Sequence, residues 1–149
     1  MKYNVIGVKT TEYNFRDTGI APSPDGKVEI KPQFSRVARM AKEGEKVSQV
    51  GLSLKIESTE QEPKPFNITV SIVGLFVVED IKNADEERRF VIDATKLLYP
   101  YLRTAVSSLM ASVQIPPLYL PVISGPVFPE DRDVFAFTTQ SNPDDGNLN

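Results

Sequence analysis

Two neighbouring stretches of this chain alternate apolar and polar residues over nearly their whole length. In KVSQVGLSLKIE (46–57), Val50, Leu52, Leu54 and Ile56 fall on one side, and Gly51, Ser53, Lys55 and Glu57 on the other. In FNITVSIVGLFVV (66–78), Phe66, Ile68, Val70, Ile72, Phe76 and Val78 keep one phase. Successive side chains of a strand point to opposite faces, so a sustained period of two predicts strands with one buried face. The polar linker STEQEPKP (58–65) is short enough to turn the chain straight back, which makes the pair a long antiparallel hairpin.

The second strand of the hairpin changes character midway. Its other face begins with Asn67, Thr69 and Ser71 and ends with Val73, Leu75 and Val77, so from Ile72 onward both faces are apolar. Cover by a helix or loop is the ordinary explanation; a subunit or ligand contact is the sharper one. Two more strands precede the hairpin. Residues 3–15 are rich in β-branched and aromatic types, and RDTGIAPSPDGK (16–27) interrupts them as a crossover loop. In VEIKPQFSRVAR (28–39), Val28, Ile30 and Phe34 alternate with polar neighbours; Pro32 points to an edge strand or a bulge, and Val37 stands out of phase.

A helix follows. Asn83 is a good N-cap with Glu86 three residues on, acids lead and basic residues follow. Ala94, Leu97, Leu98, Tyr101, Ala105, Leu109 and Ser112 recur at three- and four-residue spacing, an amphipathic stripe. Pro100 removes one helical hydrogen bond and crowds the carbonyl of Lys96, which predicts two helices or one kinked helix, with the main segment after Asp93. Beyond it, Pro116, Pro117 and Pro121 force an extended arm, QIPPLYLPVI. The fold class is therefore α+β: a four-stranded antiparallel sheet, one long (kinked) helix packed on it, and a proline-rich C-terminal arm. Residues 1–140 form a single domain, and the polar tail 141–149 is expected to be disordered.

Composition narrows the function more than the fold. The chain has 149 residues, long enough to bury roughly two-thirds of its unfolded surface in one domain. It has neither cysteine nor histidine. Thiol nucleophiles, disulfides, imidazole acid–base pairs and ordinary zinc sites are thus out of reach, which disfavours catalysis and leaves no metal or cofactor to expect. Glu130, Asp131, Asp133, Asp144 and Asp145 stand against the single Arg132, a net −4 in residues 129–149; the total is −3, so the rest comes to +1. A near-neutral body without a basic block offers no footprint for nucleic acid. With no basic-led apolar leader and no run of about 18 apolar residues, a cytoplasmic protein without a membrane partner is expected.

The carboxylate groups Glu79–Asp80, Asp85–Glu86–Glu87 and Glu130–Asp131 are read as helix caps and solvated loops, not as acid–base or metal pairs. Ser107 and Ser108 have no base nearby and belong to a helix surface.

Four strands, a helix containing LLYPYLRTAVSSLM and then IPPLYLPVI resemble the SecB family of bacterial export chaperones. The matching positions are Leu98, Pro100, Tyr101 and Arg103, then Pro116, Pro117, Leu118, Leu120 and Val122, with Tyr99 and Ile115 where the family has phenylalanine. The coarse likeness covers about 1–123 and the specific motif 97–122. It implies a sheet with helices packed on it, assembled as dimers and tetramers, that binds unfolded polypeptides through apolar grooves and exposed edges. On that basis Phe34, Phe76, Tyr99, Tyr101, Ile115, Leu118, Tyr119 and Leu120 are candidate peptide-binding residues, with Tyr101 and Leu118 equally at home in a core. Val73, Leu75, Val77 and Leu109 are candidate oligomer contacts. The sequence departs from the family in ISGPVF after the last proline and in offering only Ile20 from the crossover loop. The family's sheet is acidic where it meets the export motor SecA, whereas these strands carry Lys27, Lys31, Arg36, Arg39, Lys46 and Lys55. That weakens the case for SecA as a partner and places the chain nearer the divergent SecB-like proteins of Gram-positive bacteria. A holdase for unfolded chains is the first functional expectation, an oligomeric scaffold of the same fold the alternative, and a carboxylate enzyme the least favoured.

Overall fold

The computed structural model describes residues 1–21, 32–115 and 127–131. The two alternating stretches form β3 (Ser48–Ile56) and β4 (Phe66–Glu79), paired antiparallel with Leu52 opposite Ile72. Strand β1 (Lys2–Asp17) lies on the far side of β4, and β2 (Gln33–Arg39) on the far side of β3, giving the order β1-β4-β3-β2. The chain between β1 and β2 therefore links opposite edges of the sheet.

The inward column is continuous. Val50, Leu52, Leu54 and Ile56 of β3 and Phe66, Ile68, Val70, Ile72 and Phe76 of β4 are all buried. Burying one such side chain contributes roughly 1.5–3 kcal/mol, so this face supplies much of the driving force for folding. Strand β1 needs two extra residues to follow β4: the register shifts between Val5 and Gly7 and again between Thr10 and Glu12. Each bulge bends a long edge strand and sharpens its twist.

Helix α1 runs without interruption over Ala84–Ser112. The expected main segment after Asp93 is thus only its later two-thirds, and the first turns belong to the same helix. Asn83 Oδ1 accepts the amide of Glu86 at 2.9 Å, and Glu86 Oε2 accepts the amide of Lys82 at 2.7 Å, so the side chains close the helix start on one another. Pro100 is exposed, on the solvent side of the helix. The opposite side buries Phe90, Ala94, Leu98, Leu102, Val106 and Met110 against the sheet. Gly74 makes the closest approach possible: a Cβ there would lie 2.7 Å from both Leu98 Cδ2 and the Phe76 ring.

The helix ends in a Schellman motif. Gln114 takes φ 57°, its amide donates to Ala111 O at 3.3 Å, and Ile115 N donates to Met110 O at 3.2 Å. This turn folds Ile115 back onto the core.

Of the two readings of Pro32, the structure has the edge strand: β2 lies at the sheet edge, and its register with β3 is unbroken from Gln33 to Arg39, with no bulge in that stretch. Val37 is out of phase because it pairs with Gly51 on the outer face, where it is 71% exposed. The apolar end of β4 is not covered by the helix, which packs on the other face; Val73, Leu75 and Val77 remain partly exposed. The proline-rich arm from Pro116 and the tail 141–149 lie outside the described residues.

Candidate functional site

The sheet edge formed by β2 is short, so its inward residues border the flank of α1 rather than the middle of the core. Phe34 and Arg36 are the two that matter. Phe34, opposite Leu54, is half-buried and tilts against Tyr99 of the helix, with ring centroids 6.3 Å apart. Burial holds the Tyr99 phenol above its ordinary value, while Arg103 pulls it the other way.

Arg36, opposite Leu52, is an arginine in an apolar column. Its guanidinium is met from two sides. On the helix side, Nη1 donates to Thr95 Oγ1 at 3.1 Å, and the Thr95 hydroxyl donates to Val91 O at 2.6 Å. On the other side stands the turn Pro129–Asp131, where Asp131 accepts Nη1 at 2.7 Å and Nη2 at 3.1 Å, a two-pronged pair. The guanidinium also lies over the Phe128 ring, 4.5 Å from its centroid. Arg88, two helical turns before Thr95, donates Nη2 to the backbone carbonyl of Glu130 at 2.6 Å. Phe128 and Asp131 are both buried, Asp131 to 2% exposure. Five residues from the C-terminal part of the chain are thus held in a notch between β2 and α1 by an aromatic ring, a carboxylate and a backbone carbonyl.

Of the candidate peptide-binding residues, the structure brings Phe34 and Tyr99 together between β2 and the helix, while Ile115 packs on the core at the helix end. Tyr99 is buried, however, and Tyr101 points away at 54% exposure. Phe76 is a correction. It is fully buried between Tyr3 and Phe90, with centroids at 6.5 and 5.2 Å, because its column faces the helix. Leu109 is a correction of the same kind: it is buried in the chain's own core and does not face outward. Leu118, Tyr119 and Leu120 lie outside the described residues.

Asp131 corrects the reading of Glu130–Asp131 as solvated. Sequence reasoning passed over Arg36, Arg88, Thr95 and Phe128 as well. One signal was available: Phe34, Arg36 and Ala38 share a phase, and an arginine in an inward column needs a buried acceptor.

The outer face of the sheet carries a second feature, a shallow trough of about 570 Å3 lined by Lys9, Glu12, Val37, Arg39, Ser53 and Val73 among others. Its floor is closed by the Ser53 and Ser71 hydroxyls, 2.7 Å apart. Among the described residues no group of three or more acidic side chains is placed to hold a metal ion, and no helix is long and apolar enough to cross a membrane.

The sequence model of the family described as preprotein translocase subunit SecB matches residues 19–125. A curated relative, the protein-export protein SecB of Anaplasma phagocytophilum, is 31% identical over 88 residues, which is 54% of this chain and 56% of that protein. The matched region thus spans about half of the relative's length. Among solved structures, the Mycobacterium tuberculosis SecB-like chaperone Rv1957, in complex with a ChAD peptide from the HigA1 antitoxin, superposes with a TM-score of 0.64 over 82% of this chain and 88% of that one. At 16% identity that likeness speaks for the fold.

Proposed function

The chain belongs to the SecB family, and from that premise we propose that it is a holdase that binds unfolded or extended polypeptides without catalysis. Family membership carries the reading, and the chemistry of the chain agrees with it. Holding an unfolded chain needs apolar surface and backbone edges, not acid–base groups, and a chain without histidine or cysteine keeps everything required. Clients would lie along the flank of α1 beside β2, against Phe34, and continue past Ile115 onto Leu118, Tyr119 and Leu120. Many weak contacts of this kind give breadth in place of selectivity.

A homo-oligomer is part of the same proposal. The edge strand β1 is 16 residues long and exposes Val5, Ile6 and Tyr13, and soluble proteins ordinarily cover such an edge. Val73, Leu75 and Val77 extend the apolar area on the outer face. SecA is not expected as a partner, because that face sets Lys9 and Arg39 near Glu12, and Lys55 beside Glu57, instead of presenting an acidic patch. Light scattering coupled to gel filtration reads the oligomer directly; a monomer at micromolar concentration would remove this part.

The test of the holdase is co-elution with a permanently unfolded polypeptide, such as a reduced and carboxymethylated protein. The unfolded form should co-elute and its native form should not. If neither does, the holdase reading fails. A second reading, a SecB-fold binding protein for one dedicated segment, is favoured by the occupied notch at Arg36; it predicts no co-elution with general unfolded chains.

A further inference from the structure

We infer that the notch between β2 and α1 is a recognition pocket for a peptide carrying an aromatic residue and, three positions later, a carboxylate, and that this chain fills it with its own Val127–Asp131. The contacts are those of a bound ligand. Asp131 and Arg36 are 95 residues apart in sequence, yet they form the most buried ion pair among the described residues. The segment presents both recognition groups on one side, because the Asp131 amide closes a tight turn onto Phe128 O at 3.1 Å. Arg88 reads only a backbone carbonyl, a contact that any sequence offers.

The receiving side is set independently of its occupant. The Thr95 hydroxyl spends its proton on Val91 O, which leaves its lone pairs to orient the Arg36 guanidinium from the helix. With Asp131 withdrawn, Arg36 would keep one neutral acceptor, Thr95 Oγ1, and would lose the two-pronged partner that now covers it. A guanidinium in that state selects for a carboxylate, and its planar fork selects for two-point binding. The Phe128 site beneath it selects for an aromatic ring. The segment is tethered to its pocket, so its effective concentration is of millimolar order and a free peptide at micromolar concentration must lose to it. Release of the tethered segment is therefore what opens the pocket.

This inference takes from the proposed function only that the occupant is a polypeptide. The probe is a labelled peptide of sequence VFPED, titrated by fluorescence anisotropy into the full chain and into its Phe128→Ala/Asp131→Ser variant. The variant should bind at least about tenfold tighter than the unaltered chain, since the competing occupant is gone. Adding Arg36→Met should abolish that binding. A folded variant that binds no better than the unaltered chain overturns the inference, as does binding indifferent to Arg36→Met. Should the variant not fold, hydrogen exchange on the unaltered chain decides: millimolar peptide should speed exchange at residues 127–131 and leave β3 and β4 unchanged, and no change there overturns it. Aggregation suppression by the same preparations keeps the two claims apart. Suppression without peptide binding ends this inference alone, and peptide binding without suppression ends the holdase alone.

Discussion

Gly74 is the residue on which the spacing of sheet and helix depends. A methyl group there has no room, because the Leu98 side chain and the Phe76 ring are both buried and hemmed in by the core. Gly74→Ala is expected to destabilise the fold by about 1–3 kcal/mol through overpacking, read as a lower urea midpoint at unchanged slope. A midpoint that stays put would mean that the helix can move away freely. Tyr3 and Tyr99 give a pH signature at the same scale. Burial raises both phenols, and for Tyr3 the Asp93 carboxylate, 3.4 Å from its hydroxyl, adds to the effect. Their folded values exceed the unfolded value near 10, so their contribution is complete below about pH 10 and is lost as pH rises through the raised values. The Tyr3→Phe/Tyr99→Phe variant should therefore lose stability less steeply between pH 9 and about 11 than the unaltered chain. Equal slopes would contradict it. The hardest residue to read from sequence was Arg36. Its inward phase was visible between Phe34 and Ala38, but its acceptor comes from a loop 95 residues away, and nothing local announces such a partner.

At the scale of elements, β3 and β4 were readable because one buried face imposes a strict period of two. Strand β2 was readable in place but not in character, since Val37 looked like an irregularity and is an outward residue on a regular edge. The helix was readable at its start, where Asn83 and Glu86 name their own roles, and less so through Pro100. A proline inside a helix costs one hydrogen bond and crowds one carbonyl without always ending it; here the ring sits on the solvent side and the helix continues, as the single-helix alternative had it. Its end holds a testable strain. Gln114 occupies a left-handed conformation that glycine adopts without a side-chain penalty. Gln114→Gly is expected to raise stability by about 0.5–1 kcal/mol, measured as an increase in Tm, while Gln114→Val should lower it. A fall in Tm for the glycine variant would mean that the turn is not held as described.

For the whole molecule, order of elements and the motif 97–122 were enough to point to the family, because a sheet meander, one long helix and a Pro-Pro exit are few parts in a fixed sequence. The candidate site was readable only in part. Apolar residues look alike whether they serve a groove or a core; Phe76 went to the core because its strand column faces the helix, and Leu109 because it lies on the buried side of the helix itself. Phe128 and Asp131, by contrast, sit in a proline-containing stretch whose partners, Arg36, Arg88 and the core, are remote in sequence. On the proposed function, the flank of α1 would serve two roles side by side, an apolar run for clients and a charged notch for one segment.

The measurement that bears most directly on the proposed role is light scattering from a refolding, aggregation-prone polypeptide, with this protein added at near-equimolar ratio. Suppression of the scattering is predicted, weakened when Tyr119→Ser and Leu120→Ser are introduced together. Undiminished scattering in the presence of protein shown to be folded would contradict the holdase.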